Sequence, residues 1–298
     1  MDPALILFGL GVGILVGMTG MGGGSLMTPL LILLFGIKPV VAVGTDLAYA
    51  AVTKTVGGWQ HFRKGTVFPR MALWLAVGSC PGALLGVWLL DKLRDAWGDG
   101  FDTFMLIAIG TALLLTGTVV LLRVLVITDA EARERRAFVM TTKDKIVAAA
   151  LGGSVGFVLG ITSAGSGTLI AIGLILYFRL SPHRVVGTDV AHAAVLLWVA
   201  AIAHMFSGNI DYGLAGTILL GSVPGVWIGT HLSTMLPQQW LRLALGTVMF
   251  ASSLALLGKA GLDIPAAGLI AIPLLVFAVC AAVLRRRSHP PRPVEVPS

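Results

Sequence analysis

Apolar residues in this 298-residue chain come in long runs, not at the spacing of a half-buried helix or strand. The runs 71–90, 104–122, 185–203 and 266–284 each approach or reach the roughly 20 residues with which an α-helix crosses hydrocarbon. Short polar or Gly/Pro-containing breaks divide the chain into five apolar segments near 4–19, 25–37, 40–59, 69–91 and 102–127. Five more follow near 145–161, 168–180, 184–206, 212–235 and 239–258, then a last helix near 264–284 and a basic, Pro-rich tail. The pattern predicts an all-α polytopic membrane protein. Its parts are a first transmembrane repeat (1–127), a cytoplasmic linker (128–144), a second repeat (145–258) and a final helix with its tail (259–298). The second segment of each set has about 13 residues, roughly 20 Å of helix, which is short for a full crossing. Segments one and two are therefore expected to form a re-entrant hairpin broken at the glycines, since irregular backbone at membrane depth must be enclosed by protein or line a wet cavity.

The two sets of segments are copies. Sliding the sequence by 143 positions aligns 17–86 with 160–229 without a gap, at 27 identities in 70 positions. Shared apolar composition does not account for Gly17/Gly160, Thr19/Thr162, Pro39/Pro182 or His61/His204. Nor does it account for Gly44-Thr45-Asp46 against Gly187-Thr188-Asp189, or Gly78-Ser79-x-Pro81-Gly82 against Gly221-Ser222-x-Pro224-Gly225. Internal duplication of this kind is frequent among secondary transporters.

Loop charges orient the copies. The stretch 61–70 contains Arg63, Lys64 and Arg70, whereas its counterpart 204–213 has no Lys or Arg and carries Asp211. Arg133, Arg135, Arg136, Lys143 and Lys145 make the linker cytoplasmic by the positive-inside rule, and Arg285 to Arg287 do the same for the tail. The assignment that satisfies most of these puts the N-terminus outside and the C-terminus in the cytoplasm of an inner membrane. Each copy then crosses an odd number of times, so the repeats have inverted topology and their Gly-broken hairpins meet near the bilayer middle. Residues 1–19 show no basic n-region or cleavage site and read as mature protein.

Composition sharpens this picture in one respect. Charged residues are 12% of the chain, against about 25% in soluble domains, so the formal charge of +7 reflects loop topology and not a nucleic-acid partner. Cys80 and Cys280 sit in apolar segments without metal or redox spacing and read as packing residues.

The candidate chemistry lies in two loops. Residues 17–25 read GMTGMGGGS and residues 160–168 read GITSAGSGT. Glycine lets a ligand or a second backbone approach closely, and Ser25 and Thr168 stand where an N-cap would open the short second helix. Two such helix N-termini facing one cavity suit an anion. The substrate-binding set predicted here is Thr19, Gly20, Gly22, Gly23, Gly24 and Ser25 with Thr162, Ser163, Gly165, Ser166, Gly167 and Thr168. The competing reading is that these glycines serve only close helix packing. No Gly-Lys-Ser/Thr follows either loop, so a nucleotide phosphate loop is not indicated.

Four further residues are candidates for coupling or for supporting the site. Asp46 and Asp189 either cap the start of the third helix of each copy or carry protons as intramembrane carboxylates. Lys54, aligned with Leu197, either attracts an anion or snorkels toward the cytoplasmic end. His192, aligned with Tyr49, is either a proton carrier or a packing residue. His61 and His204, at segment edges, are expected at the interface. A doubled metal-ligand cluster and HExxH are missing from the sequence. No catalytic residue, metal or cofactor is therefore predicted, and a membrane-embedded enzyme is disfavoured.

The doubled glycine loop, followed in the first copy by Pro29, with the doubled Gly-Thr-Asp element and Gly-Ser-x-Pro-Gly helix, resembles the sulfite exporter TauE/SafE family of bacterial permeases across roughly residues 5–258. Ser166 stands where the first loop has Gly23, and Ile172 where the first copy has Pro29. The resemblance implies an inner-membrane carrier for sulfite or a related sulfur oxyanion or organosulfonate, coupled to protons, and the inverted repeats lead us to expect alternating access. A passive anion channel using the same loops is the alternative. The partners expected are the anion, protons and the lipid bilayer, with a homodimer left open.

Overall fold

The computed structural model describes residues 3–19, 24–126, 140–232 and 237–288, and among these it is helical throughout, with no strand. Eleven helices follow in order: α1 (Pro3–Thr19), α2 (Gly24–Leu34), α3 (Pro39–Arg63), α4 (Pro69–Trp97), α5 (Gly100–Val126), α6 (Thr142–Thr162), α7 (Ser166–Leu176), α8 (Pro182–Phe206), α9 (Tyr212–Leu232), α10 (Gln238–Lys259) and α11 (Ala266–Ser288). Local sequence explains several boundaries. Pro39, Pro69 and Pro182 each open a helix, where the missing N–H costs nothing. Thr141 and Asp144 cap α6 reciprocally: Asp144 N donates to Thr141 Oγ1 at 3.3 Å and Thr141 N to Asp144 Oδ2 at 2.9 Å.

Seven helices, α4, α5, α6, α8, α9, α10 and α11, are long and apolar enough to cross a membrane. Large apolar side chains such as Leu7, Leu73, Leu122 and Leu274 lie on the outside, as a lipid-facing surface requires. The chain is thus a multi-pass membrane protein. α2 and α7 have 11 residues each, about 16 Å, half a hydrocarbon core. Both fold back on the helix before them. Phe8 of α1 meets Phe35, just past α2, at a ring separation of 5.0 Å, and Leu151 of α6 lies against Gly173 of α7.

Helices of the first copy pack on helices of the second in matched pairs. Gly9, Gly13 and Gly17 of α1 lie successively against Ile218, Ser222 and Val226 of α9, so these helices run parallel. Gly152, Gly156 and Gly160 of α6 lie against Leu75, Ser79 and Ala83 of α4. Every pair in the second set is the 143-residue counterpart of a pair in the first. At each crossing the missing Cβ lets one backbone rest on the other, the device that substitutes for hydrophobic driving force inside a bilayer. The self-equivalent pairs behave differently. In α3 against α8, Trp198 Nε1 donates to Thr55 Oγ1 at 2.8 Å, and the ends cross over: Phe68 N donates to Thr188 Oγ1 at 3.0 Å and Asp211 N to Thr45 Oγ1 at 3.1 Å. α3 and α8 therefore run antiparallel. So do α5 and α10, where Gly110 meets Leu257 and Gly117 meets Phe250.

Two local expectations are corrected here. Asp46 and Asp189 are not helix caps, because α3 and α8 begin at Pro39 and Pro182 and both carboxylates sit two turns inside. His204 is not interfacial: it is fully buried, with Nε2 donating to the Gly160 carbonyl at 2.9 Å and Nδ1 accepting from Asn209 Nδ2 at 3.1 Å.

Candidate anion-binding site

The hairpin tips of the two copies touch. Gly24, the first residue of α2, lies directly against the Ser163 carbonyl at the end of α6, with no room for a side chain between them. Ser163 itself is in the left-handed region at φ 57° and ends α6, and Gly165 at φ 92° opens α7. The second loop is therefore a tight reversal whose N-cap has no side-chain hydrogen bond to the helix. This corrects the expected N-caps. Thr168 is the third residue of α7 and Ser25 the second of α2, so the first N–H groups of α7 are left for a ligand or water to satisfy.

Beside the touching tips lies a cavity of about 300 Å³. From the first loop it is lined by Thr19, Gly24 and Ser25, and from the second by Ser163, Gly165, Ser166, Gly167 and Thr168. Thr162 does not line it. Its hydroxyl donates to the Val158 carbonyl at 2.8 Å and accepts from Ala164 N at 3.2 Å, holding the loop in shape. Gly20, Gly22 and Gly23 lie outside the described residues, as do residues 128–139 of the linker.

Among the described residues, three cationic side chains reach this cavity: Lys54 from α3, Arg123 from α5 and Arg242 from α10. Arg123 and Arg242, from facing antiparallel helices, are close enough to repel one another, and among the described residues neither is in an ion pair. The sequence reading missed both arginines. Each is a lone charge in an otherwise apolar stretch, a signal that by itself marks an intramembrane site, but Arg123 sits in the last turn of α5, where snorkelling explains it equally well. Among the described residues, the one carboxylate on the cavity wall is Asp189.

The four coupling candidates separate in the structure. Lys54 and Asp189 face the cavity, whereas Asp46 and His192 do not. His192 is buried and its Nε2 meets Ser79 Oγ at 2.7 Å. Asp46 is fully buried, and its Oδ2 accepts from Thr28 Oγ1 at 2.6 Å and from Ser163 Oγ at 2.8 Å. That carboxylate joins α2, α3 and the second loop, so it holds the two tips together. Asp46→Ala would leave two buried hydroxyls without an acceptor, at about 1–3 kcal/mol each. We expect a much lower melting temperature for Asp46→Ala than for Asp46→Asn, whose amide oxygen still accepts. Size-exclusion profiles and melting curves of the two variants check this, and equal loss in both would place the role in the charge and not in the bridge.

A model of the family described as sulfite exporter TauE/SafE matches residues 5–256. The probable membrane transporter protein YjnA of Bacillus subtilis (strain 168) is 40% identical over 258 residues, covering 86% of this chain and all of that protein. A second protein of that strain, the probable membrane transporter YdhB, is 28% identical over 78% of this chain and 91% of its own length. A probable membrane transporter of Xylella fastidiosa (strain 9a5c) is 27% identical over 75% of this chain and 81% of its own. No solved structure matches. With the family match running through both copies and both loops, this chain is a membrane transporter belonging to the sulfite exporter TauE/SafE family.

Proposed function

We propose that the chain is a secondary transporter of a small anion, sulfite or a related sulfur oxyanion or organosulfonate, driven by the proton gradient across the inner membrane. The observation that carries this reading is the convergence of two glycine loops, the uncapped start of α7 and three cationic side chains on one cavity. Backbone N–H groups and hydroxyls supply directional donors, and Lys54, Arg123 and Arg242 supply the charge that draws an anion out of water.

Alternating access of two inverted repeats, 1–127 and 145–258, is the mechanism that fits. Antiparallel packing of α3 on α8 and of α5 on α10 supports inversion, because equivalent helices then point opposite ways. With the N-terminus outside, Arg123, Arg242, Lys54 and Val185 fall in the cytoplasmic half, so the cavity described above belongs to an inward-facing conformer. The opposite end is fastened by polar contacts: Arg94 donates to Asn209, and Ser207 Oγ donates to Asp91 Oδ2 at 2.6 Å. Separation of these contacts would be part of outward opening.

The test is uptake into proteoliposomes with an imposed pH gradient and labelled sulfite, thiosulfate or sulfoacetate. Uphill accumulation that collapses with a protonophore is the expected result. Flux that only follows the anion's own gradient would make the protein a passive channel, and no flux with any of these anions would remove the reading.

A further inference from the structure

The wall of the cavity carries more information than the sign of its cargo. Asp46 and Asp189 are counterparts in the duplication, yet their surroundings differ. The residues equivalent to Thr28 and Ser163, the two hydroxyl donors that hold Asp46, are Ala171 and Gly20 at Asp189. Asp189 is thus stripped of the partners that make Asp46 a structural bridge. Both carboxylates bury an Oδ1 with no hydrogen-bond partner, but Asp46 is fully buried away from the cavity, whereas Asp189 is 8% exposed and lines it. Its electrostatic neighbours are Lys54 and Arg123, with Arg242 on the same wall. α7, which packs on α8, has no titratable residue, and His192 one turn further along α8 is turned to Ser79.

Among the described residues the cavity therefore holds three cationic side chains and one carboxylate, a surplus of two positive charges. The helix N-termini add donors but no net charge. A surplus left uncompensated is costly once water is excluded, because the Coulomb energy grows as the effective dielectric falls. A monovalent anion leaves one charge over; a divalent anion leaves none.

Building on the anion-carrier reading, we propose that this cavity is a site for a divalent oxyanion and that ionised Asp189 sets that valence. The neutral, loaded cavity is the form that closes off from water and crosses, and a monoanionic sulfonate of the same shape is a poor cargo. Asp189 touches Lys54 and Arg123 electrostatically and acts on the anion through repulsion. Removing its charge strengthens binding, and it does so twice as much on a logarithmic scale for a dianion as for a monoanion. The loaded cavity is then left positive, so transport slows.

The experiment compares sulfate and thiosulfate with methanesulfonate, a monoanion of the same tetrahedral shape, by calorimetry on the purified wild-type protein and on Asp189→Asn. The better dianion is expected to bind the wild type on the order of tenfold or more tightly than methanesulfonate. Asp189→Asn is expected to bind that dianion more tightly still, while its maximal transport rate in proteoliposomes falls. A merely structural carboxylate would weaken binding and transport together, which overturns the role of Asp189. Methanesulfonate binding the wild type as tightly as the dianions overturns the valence assignment while the anion-carrier reading stands. Failure of every anion to bind the wild type overturns both. Lys54→Met, which lowers the surplus to one, checks the assignment with the Asp189 side chain kept in place: the dianion's advantage over methanesulfonate should shrink.

Discussion

Replacing Arg123 and Arg242 together by glutamine is expected to abolish measurable anion binding and transport while leaving a folded protein. A hydrogen bond to a charged group contributes about 1.5–3 kcal/mol, so each arginine corresponds to roughly ten- to a hundredfold in affinity and the pair to about a thousandfold. The single variants should be intermediate. The expectation has a second half that separates it from simple misfolding. The two guanidinium groups stand on facing helices with no ion-pair partner among the described residues, and they repel one another. Arg242→Gln relieves that repulsion while Arg123 keeps its attraction to Asp189, so the melting temperature of the empty Arg242→Gln protein should hold or rise as the affinity falls. Isothermal titration with sulfite or thiosulfate, paired with melting curves of the ligand-free variants, reads both halves. Unchanged affinity in the double variant would move the anion away from this cavity.

Much of the architecture was legible before any coordinates. The apolar runs marked the helices to within a few residues, and the short second segment of each copy predicted a chain that turns back; α2 and α7 do so. The offset of 143 also relates contacts in the fold, as in Gly13 on Ser222 and Gly156 on Ser79. What stayed hidden was whatever depends on which side chains meet across the duplication. Asp46 and Asp189 read identically within their Gly-Thr-Asp motifs. Only the fold shows that Thr28 and Ser163, not neighbours of Asp46 in sequence, close on it and leave Asp189 bare. Arg123 and Arg242 have no counterparts in the aligned region, so the repeat could not point to them. Thr45 and Thr188 stand in the doubled Gly-Thr-Asp element, and only the fold shows that each accepts from a backbone N–H just beyond the other copy's third helix.

Gly13→Val is expected to remove folded protein from the membrane, whereas Gly11→Val, two residues away on the same helix, should be tolerated. A Cβ built on Gly13 falls 2.5 Å from the Ser222 carbonyl oxygen and 2.8 Å from the Ser222 Cα, both backbone atoms of α9 that cannot swing aside. At Gly11 nothing lies within 4 Å. Overpacking in a yielding core costs about 1–3 kcal/mol. Here the obstacle is a helix backbone touched at three successive turns, so relief requires α1 and α9 to separate along their length, with loss of the packing that holds them. The consequence reaches the candidate site, because Gly17 belongs to the same crossing, lies against the Val226 carbonyl and lines the cavity. Separating α1 from α9 therefore displaces the first loop from the second. Gly156→Val, the counterpart of Gly13→Val at the α4–α6 crossing, should fail in the same way, and Gly216→Val on α9, where nothing is within 4 Å, should not. Yield and monodispersity of fluorescent fusions in mild detergent distinguish the two groups. Equal tolerance of Gly11→Val and Gly13→Val would mean that the α1–α9 crossing is not the joint on which the first loop is hung.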